Sequence, residues 1–260
     1  MRFSRGNLWC DGTGDGYTDL EPKIRSWGFE MNQYETTPSE DGDRTIGHLS
    51  HYVCCNSAEV SIRQRYEDGT ASNILFTNAD ATTPNSNFAV NGQKGFWRVL
   101  SGGAEGEWDY LLNRRDGNRF AKATVHGMNG LLIFPDGYSL PSGYSSAGGT
   151  GMTKVNASAD EYYPSSSEIP AETWSEMEAN GVVFLPAAGF CYDQKGGVFS
   201  ISYDLSYVGD VGYQGIYWSS SMSPVGYLTY CLLFDSYNVN PFYEVLQFYA
   251  SAVRLVTDVN

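Results

Sequence analysis

Turn-forming residues interrupt this chain every few positions, and this limits the folds that it can adopt. Its 260 residues include 29 Gly, and Asn, Ser and Asp recur between the glycines. Long helical periods of apolar residues are rare, so the pattern predicts short strands joined by long ordered loops. No stretch resembles a linker of pure Gly/Ser, Pro or charge, so we expect a single domain over residues 1–260.

Two segments nevertheless carry a helical pattern. "GEWDYLLNRR" places Trp108, Leu111 and Leu112 at i, i+3 and i+4, with arginines at the C-terminal end. "IPAETWSEMEANG" has Pro170 near the first turn and Gly181 as its stop. Strands are expected at "GLLIFP", "GVVFLPAAG", "GIYWSSS", "TYCLLFDS" and "ASAVRLV". The predicted fold class is α+β, with two helices, short antiparallel strands and long ordered loops.

The charge of the chain excludes some classes of partner. The formal net charge is -14 and the pI is near 4.5, and from Gly196 onward the only cation is Arg254. Nucleic acid and anionic lipid are therefore not expected partners, because both need clustered Lys and Arg.

No apolar run is long enough for a membrane-spanning helix. The first residues, "MRFSRGNLWC", lack an apolar signal-peptide core, which predicts a cytoplasmic protein or a chain without its leader.

Cysteines and possible metal ligands indicate no cofactor. The cysteines are odd in number and form no CxxC pair, so we expect mostly free thiols and no zinc site; they are Cys10, Cys54, Cys55, Cys191 and Cys231. "DGTGDGYTDLE" has Asp11, Asp15, Asp19 and Glu21 but departs from a calcium loop, and a Gly/Asp turn without metal is the favoured alternative. His48 and His51 in "HLSH" lack a third ligand, and their segment looks extended. No nucleophile elbow is present, so no catalytic residue is predicted.

Aromatic residues divide into two groups. Trp97, Trp108, Trp174 and Trp218 lie in or beside regular elements and are predicted to be core residues. A later group lies among Asn, Ser, Asp and Gly, a mixture typical of antibody binding sites; it comprises Tyr227, Tyr237, Phe242, Tyr243, Phe248 and Tyr249. These residues predict a binding surface.

Several motifs, in order along the chain, carry a resemblance. They are "GFWRVLSGGAEGEWDYLLNRR", "AKATVHGMNGLLIFPDGYSLP", "ANGVVFLPAAGF", "GIYWSSS" and "SAVRLVTDVN". Together they resemble the C-type-lectin-like domains of gut bacteria and their phages that are related to the Fibrobacter succinogenes major paralogous domain family. The resemblance covers most of the chain from about Phe76 onward.

Several members of that family are variable proteins of diversity-generating retroelements, in which adenines of the C-terminal gene region are scrambled. The resemblance therefore implies a C-type lectin fold, related to formylglycine-generating enzymes, and a variable ligand-binding region at residues 217–256. Scrambled Asn codons cannot encode Lys, Glu, Gln, Met or Trp. Between Met222 and Ser251 only Met222, Glu244 and Gln247 break this rule.

The family pattern separates scaffold positions from ligand-facing positions. The implied scaffold comprises Tyr217, Trp218, Ser219, Tyr230, Leu232, Phe234, Ser236, Val239, Pro241, Val253 and Leu255. The implied ligand-binding set comprises Cys231, Leu233, Asp235, Tyr237, Asn238, Asn240, Phe242, Tyr243, Val245, Leu246, Phe248 and Tyr249. Their alternation along "YCLLFDS" predicts a strand with one buried and one exposed face.

Three functions remain open at this point. The first is a hypervariable receptor or adhesin for a protein or glycan, displayed on a cell surface or phage particle. The second is an adhesin or structural domain of the same family with a fixed ligand. The third, least favoured, is a formylglycine-generating type of enzyme, for which only Cys231 lies in the late region. Calcium-dependent sugar binding is disfavoured because "NVNPFYE" contains none of the triplets that such lectins use.

Overall fold

The structure, a computed structural model, shows a mixed α+β fold built mostly from strands, as the sequence predicts. For residues 9–13, 23–27, 48–50, 53–54, 61–65 and 71–75, and for positions 191, 208, 209, 246 and 250, the structure describes the backbone alone. The described residues are 1–13, 23–35, 48–50, 53–54, 61–65, 71–75, 89–117, 119–142, 168–191, 208–225, 228–246 and 250–258.

The first predicted helix forms, but its hydrogen-bonding pattern changes from α-helical to π-helical after Asp109. Helix α1 spans Glu107–Asp109 and continues into a π-helical turn, Tyr110–Arg114. The backbone amide of Arg115 donates to the carbonyl oxygen of Tyr110 at 3.2 Å, which closes the wider turn. Leu111 and Leu112 are buried by this segment.

The second predicted helix forms as expected. Helix α2 spans Ala171–Ala179, with Pro170 at its N-cap. Gly181 follows its end with a φ of 85°, a conformation that favours glycine and stops the helix. Trp174 and Met177 are buried and pack with Phe184 in one core cluster.

The strands are short throughout. They are β1 Arg2–Phe3, β2 Leu8–Thr13, β3 Lys23–Phe29, β4 His48–Ser50, β5 Val53–Cys54, β6 Ser61–Arg65, β7 Ala71–Leu75, β8 Ala89–Val90, β9 Gln93–Lys94, β10 Arg98–Val99, β11 Phe120–Val125, β12 Met128–Ile133, β13 Glu168–Ile169, β14 Val183–Pro186, β15 Phe190–Cys191, β16 Val208–Gly209, β17 Gly215–Met222, β18 Leu228–Phe234, β19 Val239–Leu246, β20 Ala250–Ser251 and β21 Leu255–Thr257. Within the described residues the sheet orders are β1-β21-β10, β13-β11-β12-β14, β16-β15-β20-β5, β17-β18-β19, β4-β2-β3-β6-β7 and β8-β9.

Two similar sequence motifs become neighbours in the sheet of β11 to β14. "NGLLIFP" supplies β12 and "NGVVFLP" supplies β14, and the two pair antiparallel with Leu131 opposite Leu185. β11 and β12 form a hairpin whose turn residues, His126 and Gly127, both have positive φ, at 50° and 76°. Such a two-residue turn matches the twist of the strands that it connects.

The sheet of β17, β18 and β19 lies between two core clusters. The first core cluster comprises Leu8, Val90, Trp97, Val99, Ile216, Trp218, Cys231, Leu233, Val245, Val253 and Leu255. The second core cluster comprises Leu100, Trp108, Leu111, Leu112, Phe120, Leu131, Ile133, Leu185, Ala187, Ala188, Tyr217, Leu232, Phe234, Ala252 and Val256. Successive residues of β18 belong to opposite clusters, so both faces of this strand are covered at its centre. All four predicted core tryptophans are buried, as expected.

The final predicted strand, "ASAVRLV", is divided into β20 and β21, with Arg254 buried between them. The Arg254 guanidinium donates to the carbonyl oxygen of Phe184 at 2.6 Å, to Gln33 Oε1 at 2.8 Å and to Asn7 Oδ1 at 3.3 Å. Burial lowers the pKa of Arg254 to about 10. Between β20 and β21 the backbone bonds to another segment, since Ala252 N donates to the carbonyl oxygen of Ile216 and Ala252 O accepts from the amide of Trp218.

A second buried arginine joins the segment after β21 to α1. The guanidinium of Arg98 donates two hydrogen bonds of 2.7 Å to the carboxylate of Glu107, and two of 2.9 and 3.3 Å to that of Asp258. Glu107 also accepts from the backbone amide of Ser101 at 2.9 Å. Burial by itself would lower the pKa of Arg98, but these hydrogen bonds outweigh it and raise the pKa.

Candidate ligand-binding surface

The hairpin of β18 and β19 carries most of the residues for which ligand binding is expected. Cys231 pairs with Tyr243 and Leu233 pairs with Asn240, so β19 has one more residue than β18 between these pairs. The extra residue is at Pro241–Phe242 and forms a β-bulge, a position that tolerates Pro because one ladder hydrogen bond is already lost. Among the described strands, β19 pairs only with β18 and forms the edge of the sheet.

The turn that joins β18 to β19 is organised by Asp235. Its Oδ1 atom accepts hydrogen bonds of 2.7 Å from the backbone amides of Tyr237 and Asn238. The backbone amide of Asp235 donates to the carbonyl oxygen of Asn238 at 3.0 Å. An Asp at the start of a turn stabilises it in this way, because its side chain satisfies amides that have no partner in the sheet.

Three predicted ligand-binding aromatics face solvent on this hairpin. The exposed fractions are 53% for Tyr237 at the turn, 41% for Phe242 at the bulge and 39% for Tyr243 beside it. Asn240 fixes the approach to the bulge, because its Oδ1 accepts from the backbone amide of Phe242 at 2.9 Å. We call Tyr237, Phe242 and Tyr243 the aromatic edge. Exposed large aromatic side chains are typical of protein-binding sites.

The expected exposure of three other positions is wrong. Cys231, Leu233 and Val245 are buried in the first core cluster. The alternation along "YCLLFDS" predicts one solvent-facing side, but β18 lies in the middle of its sheet and is covered on both sides. A continuous apolar run of this kind is typical of a strand buried on both faces. Residues distant in the sequence, such as Leu8 and Trp97, supply the cover.

The remaining predicted positions are mixed. Asn238 is exposed, and Asp235 and Asn240 are partly exposed. Leu246 is placed in β19 by its backbone. Phe248 and Tyr249 lie outside the described residues, as does Tyr227.

The implied scaffold positions point inward. Tyr217, Trp218, Ser219, Leu232, Phe234, Ser236, Pro241, Val253 and Leu255 are buried, and Tyr230 and Val239 are partly buried. Tyr217 anchors β17 to β14, because its hydroxyl donates to the carbonyl oxygen of Pro186 at 2.9 Å. The prediction that these side chains form a packed support is confirmed for the residues named as buried.

Two residues beside the aromatic edge were not predicted as ligand contacts. Glu244 is opposite Tyr230 in the ladder, and both side chains are partly exposed. Glu244 Oε1 accepts a hydrogen bond of 2.5 Å from the hydroxyl of Ser223, which orients the carboxylate. The sequence does distinguish Glu244 from its neighbours. Scrambling of an Asn codon cannot produce Glu, so this residue breaks the codon rule given above.

The surface carries the two carboxylates of Asp235 and Glu244, and a buried cation interacts with Asp235. Residues 208–246 contain no Lys or Arg. Lys122 of β11 is buried and interacts electrostatically with Asp235. Burial lowers the pKa of Lys122 to about 8, and the charge of Asp235 opposes this shift only in part.

The possible metal and thiol sites gain no support in the described residues. No group of three or more His, Cys, Asp and Glu side chains within them is placed to hold a metal ion. Asp15, Asp19, Glu21 and His51 lie outside those residues, whereas His48 is in strand β4, in agreement with an extended segment. Cys231 is a free thiol, and burial raises its pKa. Of Cys10, Cys54, Cys55 and Cys191 no side chain is described.

Comparison with known proteins identifies no family for the chain. No protein-family profile, no curated protein and no solved structure matches it. Within the described ranges, none of the helices has the length and apolar character needed to cross a lipid bilayer.

Proposed function

We propose that this protein is a ligand-binding receptor or adhesin that displays a variable surface on a C-type lectin scaffold of the formylglycine-generating-enzyme type. In this proposal a diversity-generating retroelement alters the gene region for residues 217–256. The ligand is a protein or glycan, and the protein acts at a cell surface or on a phage particle. The family resemblance of the sequence motifs supports the scaffold and the diversification.

One structural observation carries the binding role. The aromatic edge is exposed on a hairpin whose strand β18 is buried on both sides of the sheet at residues 231–234. A rigid support with exposed Tyr and Phe side chains binds a protein partner at low entropic cost, because aromatic side chains have few rotatable bonds. The positions best suited to contact a ligand are Asp235, Tyr237, Asn238, Asn240, Phe242 and Tyr243.

A family adhesin with a fixed ligand is the second candidate. Burial of Cys231, Leu233 and Val245 favours it, because free variation at these positions would insert polar or oversized side chains into a packed core. The enzyme alternative would need a reactive thiol, and the buried Cys231 is poorly suited to that role.

Deep sequencing of the 3′ end of this gene in a population of its source tests the proposal. The expected result is dense substitution at Asn-type codons for the exposed positions of residues 235–243. At codons 231, 233 and 245 we expect only apolar residues of similar size. The codons for Met128–Ile133 serve as the control and should show background variation only. A uniform sequence across residues 217–256 would contradict diversification and support the fixed adhesin.

A further inference from the structure

We propose that Glu244, together with Tyr230 and Phe242, forms a subsite for a cationic side chain, Arg or Lys, presented by a protein ligand. This inference rests on the proposed binding function and adds the chemical class of the partner. It also assigns a contact role to Glu244 and Tyr230.

The geometry of β19 places the three side chains on one face. Tyr230 and Glu244 are directly opposite each other, which brings their Cβ atoms to about 5 Å. Phe242 precedes Glu244 by two residues, so it lies on the same face at about 7 Å along the strand. A carboxylate therefore has an aromatic ring on each of two sides.

Two of the three side chains, those of Glu244 and Tyr230, are held in place from behind. The Ser223 hydroxyl donates to Glu244 Oε1. The ring of Tyr230 packs against Gly103, where an added Cβ atom would lie 2.9 Å from Tyr230 Cε2. The positive φ of 80° at Gly103 also favours glycine, so the backbone there is suited to receive the ring. A preorganised site of this kind loses little conformational freedom on binding.

The chemistry of the group fits a cation. A guanidinium or ammonium ion gains from the faces of aromatic rings and from a carboxylate at the same time. Residues 208–246 contain no Lys or Arg, and the chain has a net charge of -14, so its field attracts a cationic partner. The cation Lys122 is buried and interacts electrostatically with Asp235.

The edge strand β19 is better suited to contact a partner through side chains than through added strand pairing. Pro241 has no amide hydrogen, and the bulge at Pro241–Phe242 interrupts the ladder. Both features oppose the addition of a partner strand along β19. A partner therefore docks side chains on the exposed rings and the carboxylate.

Selection from a random dodecapeptide library on the purified chain, followed by affinity measurements on the enriched peptides, tests this subsite. We expect enrichment of Arg or Lys, and about a tenfold loss of affinity with Glu244→Gln. Phe242→Leu should weaken the same peptides. Glu168→Gln, at an exposed carboxylate on β13, and Phe96→Leu, at an exposed ring beside Trp97, are the matched controls and should change affinity less than twofold.

Two other outcomes distinguish failure of the subsite from failure of the binding function. Peptides that need Phe242 but show no cationic enrichment and bind Glu244→Gln normally would overturn the subsite and leave the binding function standing. Failure to select any peptide that is sensitive to Tyr237→Ala, Phe242→Leu or Tyr243→Ala would overturn the protein-binding form of the proposed function, in which the aromatic edge contacts a protein ligand. If Glu244→Gln does not fold, the comparison of Phe242→Leu with Phe96→Leu and the cationic enrichment decide the question.

Discussion

The carboxylate of Asp235 accepts a hydrogen bond of 2.7 Å from the backbone amide of Tyr237, the most exposed ring of the aromatic edge. The same oxygen accepts from Asn238, so one side chain determines the shape of the turn that displays the ring. Asp235 was predicted as a ligand-facing position. Its observed hydrogen bonds add a structural role at that position.

Asp235→Ala is expected to lower the free energy of unfolding by about 1–2 kcal/mol, because two turn amides lose their acceptor. Asp235→Asn retains an acceptor oxygen and should cost less. Urea denaturation followed by tryptophan fluorescence measures both. Asp116→Ala, at an exposed bend, is the control. Equal stability of Asp235→Ala and Asp116→Ala would show that the turn does not depend on this carboxylate.

Leu233→Ala is expected to destabilise the protein by about 2–4 kcal/mol, because it opens a cavity in the first core cluster. Tyr243→Ala, on the exposed edge, should cost about 1 kcal/mol or less. The two free energies of unfolding are compared in urea. If Leu233→Ala proved as mild as Tyr243→Ala, Leu233 would face solvent, as the alternation along β18 predicts.

Lys122 should make stability depend on pH above neutrality. Its pKa is about 8 in the folded chain and 10.5 when unperturbed. The unfolded chain therefore binds more protons between these values, and stability rises with pH across this window. Because the fold opposes the charge of Lys122, Lys122→Met should be the more stable protein at pH 7.

The difference in unfolding free energy between Lys122→Met and wild type should shrink as pH rises from 7 to 10. The expected change is on the order of 1–3 kcal/mol. Taking the difference cancels groups that titrate in both proteins, including Arg254. Parallel pH profiles would show that Lys122 keeps its ordinary pKa.

Glu107→Ala is expected to cost about 2–4 kcal/mol, because among the described residues it leaves the buried guanidinium of Arg98 with Asp258 as its remaining carboxylate partner. Glu105→Ala is the matched control, since Glu105 is exposed and lies two residues earlier, before α1 begins. Thermal and urea unfolding measure the difference. Similar values for the two variants would contradict a structural role for the Arg98–Glu107 pair.

Local sequence signals determined the regular elements. Both helices are where apolar spacing, Pro170 and Gly181 predict them, because these signals act within a few residues. The strands with clear apolar runs also form, and the four tryptophans beside them are buried. The exposed aromatic edge was predicted from composition, since rigid aromatics among small polar residues have no regular period that suits a core.

Only the tertiary structure decided which side chains of β18 meet solvent. Cys231 and Leu233 are covered by Leu8, Val90 and Trp97, which are more than a hundred residues away in the chain, and no local period encodes that contact. The bulge at Pro241–Phe242 depends on pairing with β18, so the position of Glu244 opposite Tyr230 could not be derived from β19 alone. Sequence thus determined the elements, whose causes are local, whereas the burial of β18 follows from packing between distant segments and the position of Glu244 opposite Tyr230 follows from strand pairing.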